Sequence, residues 1–144
     1  MLAGSTAFVA EARRWRKRLG GGMRQAGVLA AAGLHALDHH VERLADDHAN
    51  AQCLAEGLRG ISGLTVRSAQ TNIVFVDVAD GRGPALLAFL ETRGVLATGL
   101  IGLRFVTHLG VDAAGIEHAI ASVRCFFTGA PDQGAAGLKA AGPY

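Results

Sequence analysis

The chain has 144 residues, half of them hydrophobic, which suits one domain or one lobe of a larger enzyme and excludes a largely disordered chain. A formal charge of +2 is too small to argue for nucleic acid by itself. The cysteines, Cys53 and Cys125, lie far apart without CxxC spacing, which excludes a disulfide scaffold or zinc ribbon and fits a reducing compartment.

Residues 5–18 predict a helix, capped by Ser5 or Thr6, with Phe8, Val9, Ala12 and Trp15 at helical spacing. Leu19-Gly20-Gly21-Gly22 stops it, because consecutive glycines are costly to order in a helix and admit positive φ. Residues 23–37 predict a second, alanine-rich helix ending near Leu37, whose small residues fit close packing against other elements. Asp38 is then placed to cap a third helix running to about Leu58. Val41, Leu44, His48, Ala51, Ala55 and Leu58 form its expected buried stripe, with His48 a packing histidine.

After Gly63 the period changes to that of strands. Leu64 to Val66 and Thr71 to Val78 are extended, and the second is apolar on both faces, as a central strand would be. Asp80-Gly81-Arg82-Gly83 forms a turn, and Pro84 opens a helix carrying Leu86, Leu87 and Leu90. Gly94 ends that helix. Val95 to Ala97 and Leu103 to Val111 are further strand candidates. Asp112 caps a final helix with Ile116, Ile120 and Val123 on one side, and a loose Gly/Ala-rich tail follows from Gly129. The fold class is α+β: a small, mostly antiparallel sheet covered by helices, in the order two or three helices, then β, β, α, β, β, α. No apolar run reaches the ~20 residues of a membrane span. Met1 to Ala10 carries no basic leader, so a cytoplasmic protein is expected.

The run Arg14-Trp15-Arg16-Lys17-Arg18-Leu19-Gly20-Gly21-Gly22-Met23-Arg24-Gln25 carries the most chemistry. A glycine loop leading into a helix start presents backbone N–H groups, and flanking arginines add positive charge, a combination suited to phosphate. The same residues also fit a helix–loop–helix corner with solvated arginines. Arg104 is the second candidate. Leu103, Phe105, Thr107 and Leu109 read as a core face, leaving Arg104, Val106 and His108 on the other. A strand arginine among apolar neighbours calls for an anionic partner, unless it lies on an edge strand in water.

With Arg43-Leu44-Ala45-Asp46-Asp47-His48-Ala49-Asn50, Thr71-Asn72-Ile73-Val74-Phe75-Val76 and Arg104-Phe105-Val106-Thr107-His108-Leu109 in the right order, residues 1–128 resemble the low-specificity L-threonine aldolases. These are pyridoxal-phosphate enzymes, beta-eliminating lyases of the aspartate-aminotransferase fold type. The resemblance implies the C-terminal part of such an enzyme. Residues 1–37 would be the end of the large domain with its interface helices, residues 38–128 the small domain, and residues 129–144 a flexible tail. It assigns Arg24 to the cofactor phosphate, often across a subunit interface, with Lys17 assisting, and Arg104 to the α-carboxylate of the amino-acid substrate. It also implies a homo-oligomer, or a partner large domain, and retro-aldol cleavage of threonine or allo-threonine to glycine and acetaldehyde.

The departures matter. Lys17 and Lys139 are the two lysines, and neither matches the family's cofactor lysine, whose Ser-Lys-Gly-Leu-Gly motif is absent. The family's ring-stacking histidine and pyridine-pairing aspartate have no counterpart either, and Gly110 stands where aspartate is usual. The chain alone is therefore not expected to be catalytically competent. His35 and His39 are four apart, but a helix break near Leu37–Asp38 would separate them, so no metal is expected. A second functional class stays open: a basic module contacting nucleic acid or acidic surfaces through Arg13 to Arg18 with Trp15.

Overall fold

The computed structural model describes residues 2–99 and 102–129, so most of the expected tail, with Lys139, lies outside the described residues. The chain divides into two compact units, Met1–Arg43 and Leu44–Tyr144.

The first unit holds α1 (Thr6–Arg18) and α2 (Gly27–His39). Ser5 caps α1 as expected, its Oγ accepting from the Phe8 amide at 3.3 Å. At the other end the Gly21 amide donates to Arg16 O at 2.9 Å and the Gly20 amide to Lys17 O at 3.2 Å. These are the paired bonds of a Schellman stop, which requires the positive φ of Gly20, +79°. The second helix starts four residues later than residues 23–37 predict, because Arg24, Gln25 and Ala26 form a turn in which Gln25 takes φ 53°. It also runs two residues past Leu37, so Asp38 lies inside α2 and caps nothing. The interruption falls instead at residues 40–43. Neither α1 nor α2 buries a residue.

The second unit contains α3 (Leu44–Leu58), β1 (Leu64–Gln70), β2 (Ile73–Val78), a 3-10 turn at Ala79–Gly81, α4 (Gly83–Glu91), β3 (Leu103–Val106) and α5 (Ala113–Thr128). The sheet is antiparallel in the order β1-β2-β3, so β2 is central, as its two apolar faces predict. Thr71 at φ 53° and Asn72 make the β1–β2 hairpin turn. Val95–Ala97 is not a strand; Thr98 makes one isolated bridge, to Arg104. The expected strand to Val111 stops at Val106, and Leu109 lies exposed in a turn rather than on the core face. The Gly110 amide donates to His108 Nδ1 at 3.1 Å and the Val111 amide to His108 O at 2.8 Å, which turns the chain away from the sheet.

One face of the sheet, with Leu64, Val74, Val76, Leu103 and Phe105, meets Leu54 and Leu58 of α3, Leu86 and Leu90 of α4, and Ile116 and Val123 of α5. Pro84 stands at the start of α4, and Asp112 caps α5, its Oδ1 accepting from the Gly115 amide at 2.8 Å. The buried stripe of α3 is Asp47, Ala51, Leu54, Ala55 and Leu58. His48 is exposed, which corrects its reading as a packing histidine, and Val41 and Leu44 are exposed too. The stripe moves because the helix begins at Leu44 and not at Asp38. Glycine permits the close approach of α3 to α5: a Cβ at Gly57 would fall 2.4 Å from Ile120 Cδ1.

Candidate functional site

The open face of the sheet carries the first candidate. Phe75 on β2 lies directly opposite Arg104 on β3, and neither belongs to the buried face. Arg104 exchanges backbone hydrogen bonds with Thr98, its amide donating at 2.8 Å and its carbonyl accepting at 3.1 Å. Its position is thus fixed on both sides. Its Nε is shielded from solvent yet has no hydrogen-bond partner. A shielded, unpaired donor costs about 1–3 kcal/mol, so this one calls for a reason.

On the same side of the sheet, Arg67 Nε donates to Asp77 Oδ2 at 3.0 Å, and Arg67 Nη2 also binds Asp77 Oδ1. Gly102, φ +82°, lies against this pair. Through its hydrogen bond, Arg67 holds the Asp77 carboxyl below the ordinary carboxylate range, and the guanidinium is itself shifted upward. Asp77 is thereby committed to Arg67.

The sequence runs containing Asp47, Asn72 and Thr107 converge just beyond Arg104. Thr107, buried, donates its hydroxyl to Asp47 O at 2.7 Å, and its amide donates to Asn72 O at 2.9 Å. Asn72 Nδ2 returns a bond to Thr107 O at 2.8 Å, and Asn50 Nδ2 donates to Val111 O at 3.2 Å. The Thr107 and Asn72 side chains thus anchor the chain just past β3, and so the strand that carries Arg104, while Asn50 ties down Val111. In the sequence Asn72 and Thr107 stand only as members of the matching runs; small hydrogen-bonding side chains flanking the strands are the signal for this role.

In the first unit Lys17 and Arg24 are exposed at either side of the glycine loop. Lys17 folds over Gly22: a Cβ there would fall 2.5 Å from Lys17 Cδ and 3.1 Å from Nζ. Gly22 therefore clears space that the lysine stem fills and sets its ammonium beside the loop. The start of α2 has no side-chain cap, so its first amides are available to an anion. Trp15 lies under the Arg18 guanidinium at 5.3 Å. Lys17, Gly22 and the α2 start are within the first unit, whereas Arg104 belongs to the second.

Among the described residues no group of three or more histidine, cysteine or acidic side chains is placed to hold a metal ion, and no helix is long and apolar enough to cross a membrane. The beta-eliminating lyase family model matches residues 1–81. The chain is 42% identical over 126 residues to the low specificity L-threonine aldolase of Escherichia coli (strain K12), covering 88% of this chain and 38% of that enzyme. It is 41% identical over 134 residues to a probable low-specificity L-threonine aldolase of Arabidopsis thaliana, covering 88% and 37%. It is also 30% identical over 128 residues to an alanine racemase, TOXG, of Cochliobolus carbonum, covering 83% and 33%. The chain thus spans well under half the length of the curated relatives it matches. The family match over residues 1–81 and these identities assign it: the chain belongs to the beta-eliminating lyase family.

Proposed function

We propose that this chain is the C-terminal part of a threonine aldolase, contributing the arginine that grips the substrate carboxylate to the cleavage of threonine or allo-threonine into glycine and acetaldehyde. The reading rests on the shielded, unpaired Nε of Arg104 on the open face of the sheet. A guanidinium carries parallel donors that match a planar carboxylate. Relatives named for threonine and for alanine fit this, because both amino acids carry the same α-carboxylate. A fixed carboxylate orients the Cα–Cβ bond for cleavage, so the contribution is mainly positional.

The residues present fit pyridoxal phosphate at its phosphate end. Lys17, Arg24 and the uncapped start of α2 would hold that dianion. When bound, the cofactor supplies the electron sink for breaking the carbon–carbon bond. Lys17 and Lys139 do not match the family's cofactor lysine, so the 144-residue chain alone is not expected to cleave threonine. In this reading residues 1–37 are the end of the large domain and its interface helices, and residues 38–128 the small domain. Exposed Val28, Leu29, Leu34 and Leu37 supply the surface that a large domain or second subunit covers in a cytoplasmic homo-oligomer.

The test is a chimera in which this chain replaces the matching C-terminal region of the Escherichia coli enzyme. It should release acetaldehyde from threonine, and Arg104→Met should lower kcat/KM by about 10- to 100-fold, as expected for a lost charge-assisted pair. A folded, cofactor-loaded chimera indifferent to Arg104→Met would refute the assignment of that residue.

A further inference from the structure

Because α2 continues through Leu37 and Asp38, His35 and His39 stand at i and i+4 on one helix. Both are exposed, and their ring centres are 4.4 Å apart. His40, just past the helix end, puts its ring 5.4 Å from that of His35.

These separations can be compared with metal chelation. An ion bound at about 2.0–2.1 Å from a ring nitrogen lies about 3.2 Å from the ring centre. Two such rings subtending about 90–110° at the ion stand about 4.5–5.2 Å apart, by the same geometry. The His35–His39 spacing of 4.4 Å falls just below that span, so the rings must part slightly to share an ion. His39 lies in the last turn of α2, where free carbonyls favour a cation, and His35 one turn before it. The aldolase reading makes no use of it.

We infer that His35 and His39 form a two-imidazole chelate for a borderline transition-metal ion, of the nickel, copper or zinc class. Water fills the remaining coordination positions, since no third ligand converges there among the described residues. Imidazole nitrogen selects such ions over magnesium or calcium, which take oxygen ligands. A bound ion would cross-link two consecutive turns and so stiffen the end of α2, next to residues 40–43 that lead into Leu44.

The experiment titrates Ni2+ into the purified, tag-free 144-residue chain by calorimetry, at slightly alkaline pH because metal binding competes with protons. The chain should take up one ion reversibly to EDTA, with no uptake of Mg2+. His35→Ala and His39→Ala should each weaken binding by roughly a hundredfold, the gain that an intramolecular second ligand provides. His40→Ala and the control His48→Ala should bind as the parent does. Absence of uptake, a loss below about tenfold in either of the first two variants, or a larger loss in His40→Ala than in His39→Ala would overturn the assignment.

Discussion

Arg104→Met separates the stability of this fold from its proposed chemistry. The Arg104 Nε is shielded from solvent and unpaired, and leaving a buried donor unsatisfied costs about 1–3 kcal/mol. The residue is only part-buried, so the low end of that range applies. Methionine keeps a long, unbranched apolar stem in place of the arginine methylenes. The backbone bonds to Thr98 do not depend on the side chain. The variant should therefore be as stable as the parent or more so, with a gain of up to about 1 kcal/mol, or roughly 4 °C in Tm for a unit of this size. Urea unfolding followed by far-UV circular dichroism on the 144-residue chain measures it. A gain in stability beside a loss of catalysis in the chimera is the pattern of a residue kept for function at the expense of stability. A loss of more than about 1.5 kcal/mol would mean that the guanidinium is satisfied within the fold, and the case for an external anion would lose its main observation.

Thr107→Val keeps the shape but removes the hydroxyl that donates to Asp47 O, so a loss of about 1–2 kcal/mol in urea unfolding is expected; an unchanged midpoint would show that the tie is unimportant. Asp77 has its pKa lowered in the fold by Arg67, so its contribution to stability is complete above the ordinary carboxylate value of about 3.9 and disappears as pH falls through the lowered value. Parent and Asp77→Asn stabilities should converge over that acidic interval, more weakly in high salt because the pair is half-exposed; a gap that persists at the acid end would contradict the pairing. Gly57→Ala sets a helix-propensity gain of about 1 kcal/mol against overpacking of about 1–3 kcal/mol. With the new methyl 2.4 Å from Ile120 Cδ1, the net effect should be a loss, and a double-mutant cycle with Ile120→Ala should show favourable coupling. Additive effects would place the two side chains out of contact.

What could be read from the sequence was mostly local. The Ser5 and Asp112 caps, Pro84 at the start of α4 and the glycine stop of α1 each depend on residues within one turn, and each is present. The centrality of β2 was legible because both its faces are apolar. The break between α2 and α3 was not. Asp38 is a good cap residue, and Val41 and Leu44 continue the apolar period across residues 40–43, where neither glycine nor proline marks the interruption. Leu109 extended the alternation of β3 in the same way, while the His108–Gly110 turn had already ended the strand. Alternation still placed Arg104 on the face away from the core. That its Nε lacks a partner, and that Asp47, Asn72 and Thr107 support its strand, depends on contacts across 35 to 60 positions, which periodicity cannot encode.

The tie at Thr107 has a consequence for how the second unit opens. One hydroxyl and one amide link the first turn of α3, the hairpin turn before β2 and the end of β3. Peeling any one of these segments away breaks bonds belonging to the other two. Amide hydrogen exchange at Thr107 should therefore follow global unfolding and not local fraying, although β3 is a short edge strand. The strand bearing Arg104 would then be among the last parts of this unit to come loose.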